Sequence, residues 1–209
     1  MILKNLSQSL DSLSSIVTKD NPAHTRLDQW SGAVVLLIVE DHIVFIKRSN
    51  SMPTHKGEIA FMGGHKSSSE ISPIETGIRE FSEESGFALN TIEVKGLMVP
   101  VLTSHQRVIL PVVAKFCGTK AEFLGGVQSN GEWSDLVLVP IEYLLQTNIW
   151  TRASVFADTF YHVHYAPLMR DECSFLNSTA KNSYILWGAT AKMVVNFFQN
   201  HLVSAKDWH

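Results

Sequence analysis

Hydrophobic and polar positions change period several times along the chain, and each change marks an element. Apolar residues at Ile2, Leu3, Leu6, Leu10, Leu13, Ile16 and Val17 recur at helical spacing. They predict an amphipathic helix over 2–17, broken by Asp20-Asn21-Pro22. Two β-rich runs, 33–39 and 43–47, flank Glu40-Asp41-His42 and predict a hairpin. Residues 49–69 read as a long loop rich in serine and glycine, and a long loop in a compact domain usually carries function. A helix is predicted over about 72–85. Ser72 caps it, Pro73 fits its first turn and Gly86 ends it. Strands follow at 92–101, 108–116 and 135–139, then a short helix near 140–146 and a late strand over 161–165. A terminal helix over 184–203 turns Ile185, Ala189, Met193, Phe197 and Leu202 toward one face. Strands mixed with a few helices, without regular alternation, define an α+β class. Residues 1–29 are expected to form a helical extension and residues 30–209 a single domain.

Composition narrows the function classes. Apolar residues make up 45% of the 209 and charged residues 18%, enough apolar surface for a sizeable core. A net charge of −3 carries no basic footprint for nucleic acid. No apolar run approaches the ~20 residues of a membrane span. The N-terminus lacks the three-part pattern of a secretory signal. Two cysteines, Cys117 and Cys173, make no disulfide framework. A cytoplasmic protein with no membrane or nucleic-acid partner is expected.

The acidic residues are unevenly spread. Glu70, Glu75, Glu80, Glu83 and Glu84 lie within one short segment, with Arg79 the one cation among them. On a helix, Glu80, Glu83 and Glu84 share one patch of surface. At about 100° per residue, Ile74, Ile78 and Phe81 form a stripe roughly opposite. Converging carboxylates suit a hard divalent cation, and Mg²⁺ commonly binds one or two carboxylates plus substrate phosphates. A solvated acidic helix face accounts for the same pattern about equally well. The preceding Gly63-Gly64 tips the balance, because glycines let backbone approach a ligand closely.

The combined string runs Gly64, five residues, Glu70, eight residues, then Arg79-Glu80-Phe81-Ser82-Glu83-Glu84-Ser85-Gly86-Phe87. It resembles the Nudix box, with one extra residue between Glu70 and Arg79. The resemblance implies an α/β/α sandwich around a mixed sheet, and hydrolysis of a diphosphate linkage with Mg²⁺ or Mn²⁺. By motif position it makes Glu80, Glu83 and Glu84 the metal-ligand and base candidates. Glu70 and Arg79 become a supporting ion pair, and Gly64 a carbonyl ligand.

Upstream, Arg48-Ser49, Pro53, Gly57 and Phe61-Met62-Gly63-Gly64 are separated by three residues each. This resembles the signature of the coenzyme A diphosphatase subgroup, with Pro53 in place of an arginine and Met62 in place of a proline. The resemblance implies substrate contacts from Arg48, Lys56, Gly57 and Gly63, and a downstream metal position at Glu132. The expected substrate is coenzyme A or an acyl-CoA, split to 3′,5′-ADP and a 4′-phosphopantetheine product. Two alternatives stay open: a Nudix hydrolase of another nucleoside diphosphate derivative, and a non-catalytic Nudix-fold binding module. A homodimer is compatible with either.

Overall fold

The computed structural model describes residues 29–103, 106–156, 160–169, 171–176 and 183–201. The helix expected over 2–17 and most of the expected extension lie outside the described residues.

The hairpin is where the sequence places it. Strand β1 (Gly32–Val39) pairs antiparallel with β2 (His42–Arg48), Leu37 facing Val44. Only Glu40 and Asp41 form the turn, so His42 belongs to the strand. The loop over 49–69 contains two short strands that the sequence did not announce. They are β3 (Ile59–Ala60) on β2 and β4 (Met62–His65) on β1. Helix α1 (Pro73–Ser85) follows. The expected strand over 92–101 is split into β5 (Ile92–Leu97) and β6 (Val101–Leu102), both antiparallel to β7 (Val108–Phe116).

Helix α2 (Lys120–Gly126) was not expected. Its Thr119–Glu122 capping box is intact, while Gly125 and Gly126, poor helix formers, occupy its last turn. Strand β8 (Trp133–Pro140) leads into α3 (Ile141–Leu144). Beyond it come β9 (Thr151–Phe156), β10 (Phe160–Leu168), β11 (Ser174–Phe175) and β12 (Tyr184–Trp187). Helix α4 (Gly188–His201) closes the described chain. The terminal helix therefore starts four residues later than its periodicity suggests. Residues 184–187 pair with β10, leaving Ile185 and Trp187 exposed, and Gly188 turns the chain at φ +66°.

Among the described residues one mixed sheet runs β11-β8-β2-β1-β7-β5, with β3, β4 and β6 alongside. β1 and β7 are parallel neighbours and the other pairs are antiparallel. A central strand buried on both faces needs a continuous apolar run, which is why 33–39 lacks polar positions. Leu36 and Ile38 point into one core, shared with Met193, Val194, Phe197 and Phe198 of α4. Ala33, Val35 and Leu37 point into the other, shared with Phe81 of α1 and Phe123 of α2. Helices thus cover both faces of the sheet, in the α/β/α layering that the resemblance implied. Removing the wholly buried Phe81 ring costs about 3–5 kcal/mol by the usual penalty for such truncations.

Candidate active site

Helix α1 is fixed at both ends by local chemistry. Ser72 accepts from the Glu75 amide at 3.2 Å, and the Glu75 carboxylate accepts back from the Ser72 amide at 3.3 Å. Gly86 takes the left-handed conformation at φ 76° and donates to Ser82. The predicted stripe does face the core, with Phe81 wholly buried and Ile74 and Ile78 packed against it, but the fully buried face is wider and turned to one side of it. That face is Pro73, Thr76, Gly77, Phe81, Glu84 and Ser85, while Ile74 and Ile78 are half-buried. Gly77 lies so close to Val112 of β7 that a Cβ would crowd its side chain.

The three box carboxylates are therefore not one surface patch. Glu84 is 1% exposed, on the inner face beside Phe81. Its Oε1 accepts from the Gly63 amide at 3.2 Å, and its buried Oε2 has no hydrogen-bond partner among the described residues. Burial pushes its carboxyl up to about 8, against the Gly63 hydrogen bond; the negative charges of Glu132 and Glu80 add to the rise and Arg48 opposes it. Glu80 is raised too, chiefly by burial and against the pull of Arg79. Its carboxylate fills the space where a Cβ on Gly64 would sit. Glu83 is the exposed member of the three, at 55%.

Arg79 ties this set together. Its Nε donates to Glu70 Oε1 at 2.7 Å, Nη2 to Glu80 Oε1 at 2.8 Å and Nη1 to Glu83 Oε2 at 3.0 Å. Nη2 also donates to the His65 carbonyl at 3.1 Å, fastening the loop to the helix. Glu70 accepts in addition from Thr76 Oγ1 at 2.5 Å and the Ser67 amide at 2.7 Å. Desolvation alone pushes Glu70 up, but these hydrogen bonds outweigh it and its carboxyl falls to about 2. Arg79 is held above its ordinary value by Glu70, against desolvation, with Glu80 adding to the rise.

Gly63, Gly64, Glu70, Arg79, Glu80 and Glu84 are thus brought together, and Glu83 joins them through Arg79. Arg48 ends β2 with its Nε buried and without a hydrogen-bond partner among the described residues, and its charge acts on Glu84. Glu132 is half-buried just before β8; its carboxylate accepts from Asn130 at 3.2 Å, and its charge reaches Glu80 and Glu84. Gly57, at φ +70°, donates to the Arg48 carbonyl at 3.1 Å, and Lys56 beside it is exposed. The Gly64 carbonyl oxygen lies against Gly32 of β1. Sequence reasoning missed Trp133, whose Nε1 donates to the Glu84 carbonyl at 2.7 Å. The two are 49 residues apart, and no local pattern announces the contact.

Among the described residues no three His, Cys, Asp or Glu side chains stand assembled as a metal cage. Arg79 engages Glu80 and Glu83 instead, and Glu84 faces inward. The donor set nonetheless fits a hard cation. An orphaned carboxylate oxygen in a buried position is what a divalent ion relieves, and Gly64 keeps the approach to Glu80 clear of side chain.

The NUDIX domain family model matches residues 29–160, well over half of the chain, and the chain belongs to the Nudix family. It is 24% identical over 189 residues to the chloroplastic Nudix hydrolase 22 of Arabidopsis thaliana, covering 88% of this chain and 59% of that protein. It is 22% identical over 154 residues to the peroxisomal coenzyme A diphosphatase of Mus musculus, covering 74% and 61%. A stretch of 103 residues is 31% identical to the mitochondrial coenzyme A diphosphatase of Homo sapiens, covering 49% and 42%. The chain spans about two-fifths to three-fifths of the length of these relatives. A solved Ap4A hydrolase of C. elegans aligns with a TM-score of 0.44 at 16% identity, over 53% of this chain and 80% of that one. No described helix is long and apolar enough to cross a membrane.

Proposed function

We propose that this protein hydrolyses the diphosphate linkage of coenzyme A or an acyl-CoA, releasing 3′,5′-ADP and a 4′-phosphopantetheine product. The observation that carries a hydrolytic reading is Glu84: a buried, half-satisfied carboxylate whose raised pKa lies near neutrality, beside two glycines and Arg48. A binding module gains nothing from so costly a group. The coenzyme A assignment is supported by the Arg48-to-Gly64 spacing and by the two relatives named as coenzyme A diphosphatases.

In this reading Glu80, Glu83 and Glu84 hold Mg²⁺ or Mn²⁺, with Glu132 and the Gly64 carbonyl as further ligands. When bound, such an ion neutralises phosphate oxygens and makes a bound water more acidic. The chain's own groups do the rest. Glu84, whose Oε1 is fixed by the Gly63 amide, is the group placed to take a proton from the attacking water. Arg48, its Nε without a partner among the described residues, donates to a diphosphate oxygen. Gly63 and Gly57 keep the floor of the site free of side chains, Lys56 contributes positive charge from the facing loop, and the Arg79–Glu70 pair holds loop and helix in register. A second reading, another nucleoside diphosphate derivative, is favoured by one observation: Pro53 is exposed and offers no donor where the subgroup signature has arginine. Two free thiols, Cys117 exposed and Cys173 buried, accord with a reducing compartment, of which the cytoplasm is one.

The test is a hydrolysis screen with Mg²⁺ or Mn²⁺ across coenzyme A, ADP-ribose, NADH and nucleoside triphosphates, with products weighed by mass spectrometry. Release of 3′,5′-ADP from coenzyme A at the highest kcat/KM supports the proposal. A better substrate among the others selects the second reading, and no turnover of any selects the binding module.

A further inference from the structure

Three neighbouring strands bring positive charge to one end of the sheet. β4, β1 and β7 lie side by side, with Gly32 of β1 opposite His65 on one side and Ile109 on the other. Just beyond the ladder the Lys66 amide donates to the Ser31 carbonyl at 3.0 Å, and the Ser31 amide to the Val108 carbonyl at 2.8 Å. His65-Lys66, Trp30-Ser31 and Arg107-Val108 therefore share one strand end. The Lys66 ammonium sits 4.4 Å from the centre of the buried Trp30 ring. Arg107 directs Nη1 at His65 Nε2. A guanidinium only donates, so Nε2 accepts, and the other Arg107 donors stay available.

Among the described residues neither Lys66 nor Arg107 forms an ion pair with a carboxylate, although the chain is net acidic. Both are exposed. Arg107 is held by its backbone: its carbonyl accepts from the Thr103 amide at 2.9 Å and its amide donates to Thr103 Oγ1 at 3.2 Å. Gln106 completes that turn at φ 57°. The cations border the carboxylate site directly. His65 follows Gly64, which lies against Glu80, and the His65 carbonyl accepts from Arg79.

We propose that His65, Lys66 and Arg107 form a second anion subsite, which takes a phosphate monoester carried on the nucleoside side of the substrate. This deepens the reading above and rests on it: the ribose 3′-phosphate of coenzyme A has that chemistry. Gly64 against Glu80 is followed directly by His65 and Lys66, so these cations adjoin the carboxylates that would hold a diphosphate. The fork of Arg107 and the ammonium of Lys66 suit a dianion better than a single carboxylate. The subsite also supplies phosphate recognition from residues other than Pro53, which has no side-chain donor to give.

The experiment is calorimetric binding of 3′,5′-ADP, 5′-AMP and inorganic phosphate, paired with kcat/KM for coenzyme A against 3′-dephospho-coenzyme A. A charged hydrogen bond corresponds to about ten- to a hundredfold in affinity, and the native protein is expected to prefer 3′,5′-ADP to 5′-AMP by that factor. Arg107→Ala and Lys66→Met should each pull this ratio toward one, and Arg107→Lys should retain part of it. Melting temperatures verify that the variants are folded. Equal binding of the two nucleotides by the native protein overturns the subsite. So does inorganic phosphate binding as tightly as 3′,5′-ADP, because the site would then belong to the free ion. If 3′,5′-ADP is preferred while coenzyme A is not hydrolysed, the subsite stands and the coenzyme A diphosphatase reading falls. If coenzyme A is hydrolysed no better than its dephospho form, that reading stands and the subsite falls.

Discussion

The indole of Trp133 donates its one N–H to the backbone carbonyl of Glu84, at 2.7 Å and out of contact with water. The bond joins the last turn of α1 to the first residue of β8, so the backbone that carries the buried carboxylate is tied to the strand that begins beside Glu132. Trp133→Phe keeps most of the ring and removes the bond. A buried acceptor left alone costs about 1–3 kcal/mol, and urea denaturation should register that loss. Turnover should fall as well. A variant with native stability would mean that the bond contributes nothing.

Glu84 and Glu70 should give stability opposite dependences on pH. The folded pKa of Glu84 is raised to about 8, above an ordinary value of 4.5, so the folded state binds the extra proton. Its contribution is greatest below the ordinary value and is lost as pH rises toward 8, at about 1.4 kcal/mol per pKa unit. Glu84→Gln should flatten the pH profile of metal-free stability in that window and abolish turnover while the fold persists. A profile unchanged by the substitution would refute the raised pKa.

Glu70 runs the other way. Its folded pKa is lowered from 4.5 to about 2, so its contribution is present above 4.5 and is lost as pH falls toward 2. Glu70→Gln should destabilise the protein near neutrality, by about 2–3 kcal/mol at most, and have little effect at pH 2. Denaturation curves at both pH values separate this from a general packing defect.

Arg79→Lys tests the geometry of the three-way bridge. Lysine keeps the charge but not the planar fork, and one ammonium cannot face Glu70, Glu80 and Glu83 as the guanidinium does. A loss of about 1–3 kcal/mol is expected, with a lowered kcat. Native stability in this variant would show that charge alone is enough.

Gly64→Ala tests the floor of the site. The new Cβ would overlap the Glu80 carboxylate, and the carboxylate would have to move. Turnover should drop by an order of magnitude or more, with stability little changed because Glu80 can swing toward water. Full activity would mean that Glu80 has no fixed place in the reaction.

What the sequence revealed and what it hid divide along the distance over which residues act. Ser72, Pro73 and Gly86 mark α1 to within a residue because capping is settled by neighbours in the chain. The continuous apolar run over 33–39 announced a strand, and the structure shows why it is continuous, with a core on each face. The α2 helix was equally local, with its Thr119–Glu122 box, yet two glycines at its end masked it. The aspect of Glu84 was not legible. Spacing put it on one patch with Glu80 and Glu83, but which side of a helix meets the sheet depends on where β1 and β7 lie. Gly77, with no side chain to hold them off, lets that side in. The strand over 184–187 was absorbed into the terminal helix because its apolar residues fit both periods, and pairing with β10 decided between them.

Arg79 gives the protein an internal counter-ion. Its guanidinium bridges carboxylates from the loop and from two positions on the helix, and holds the loop carbonyl of His65 besides. The cluster is therefore tied together, with part of its negative charge offset, by a group of the chain itself. Metal dependence should accordingly be a property of turnover and not of folding: a chelator would silence the enzyme and leave its architecture standing, and returning Mg²⁺ or Mn²⁺ would restore rate without a refolding step.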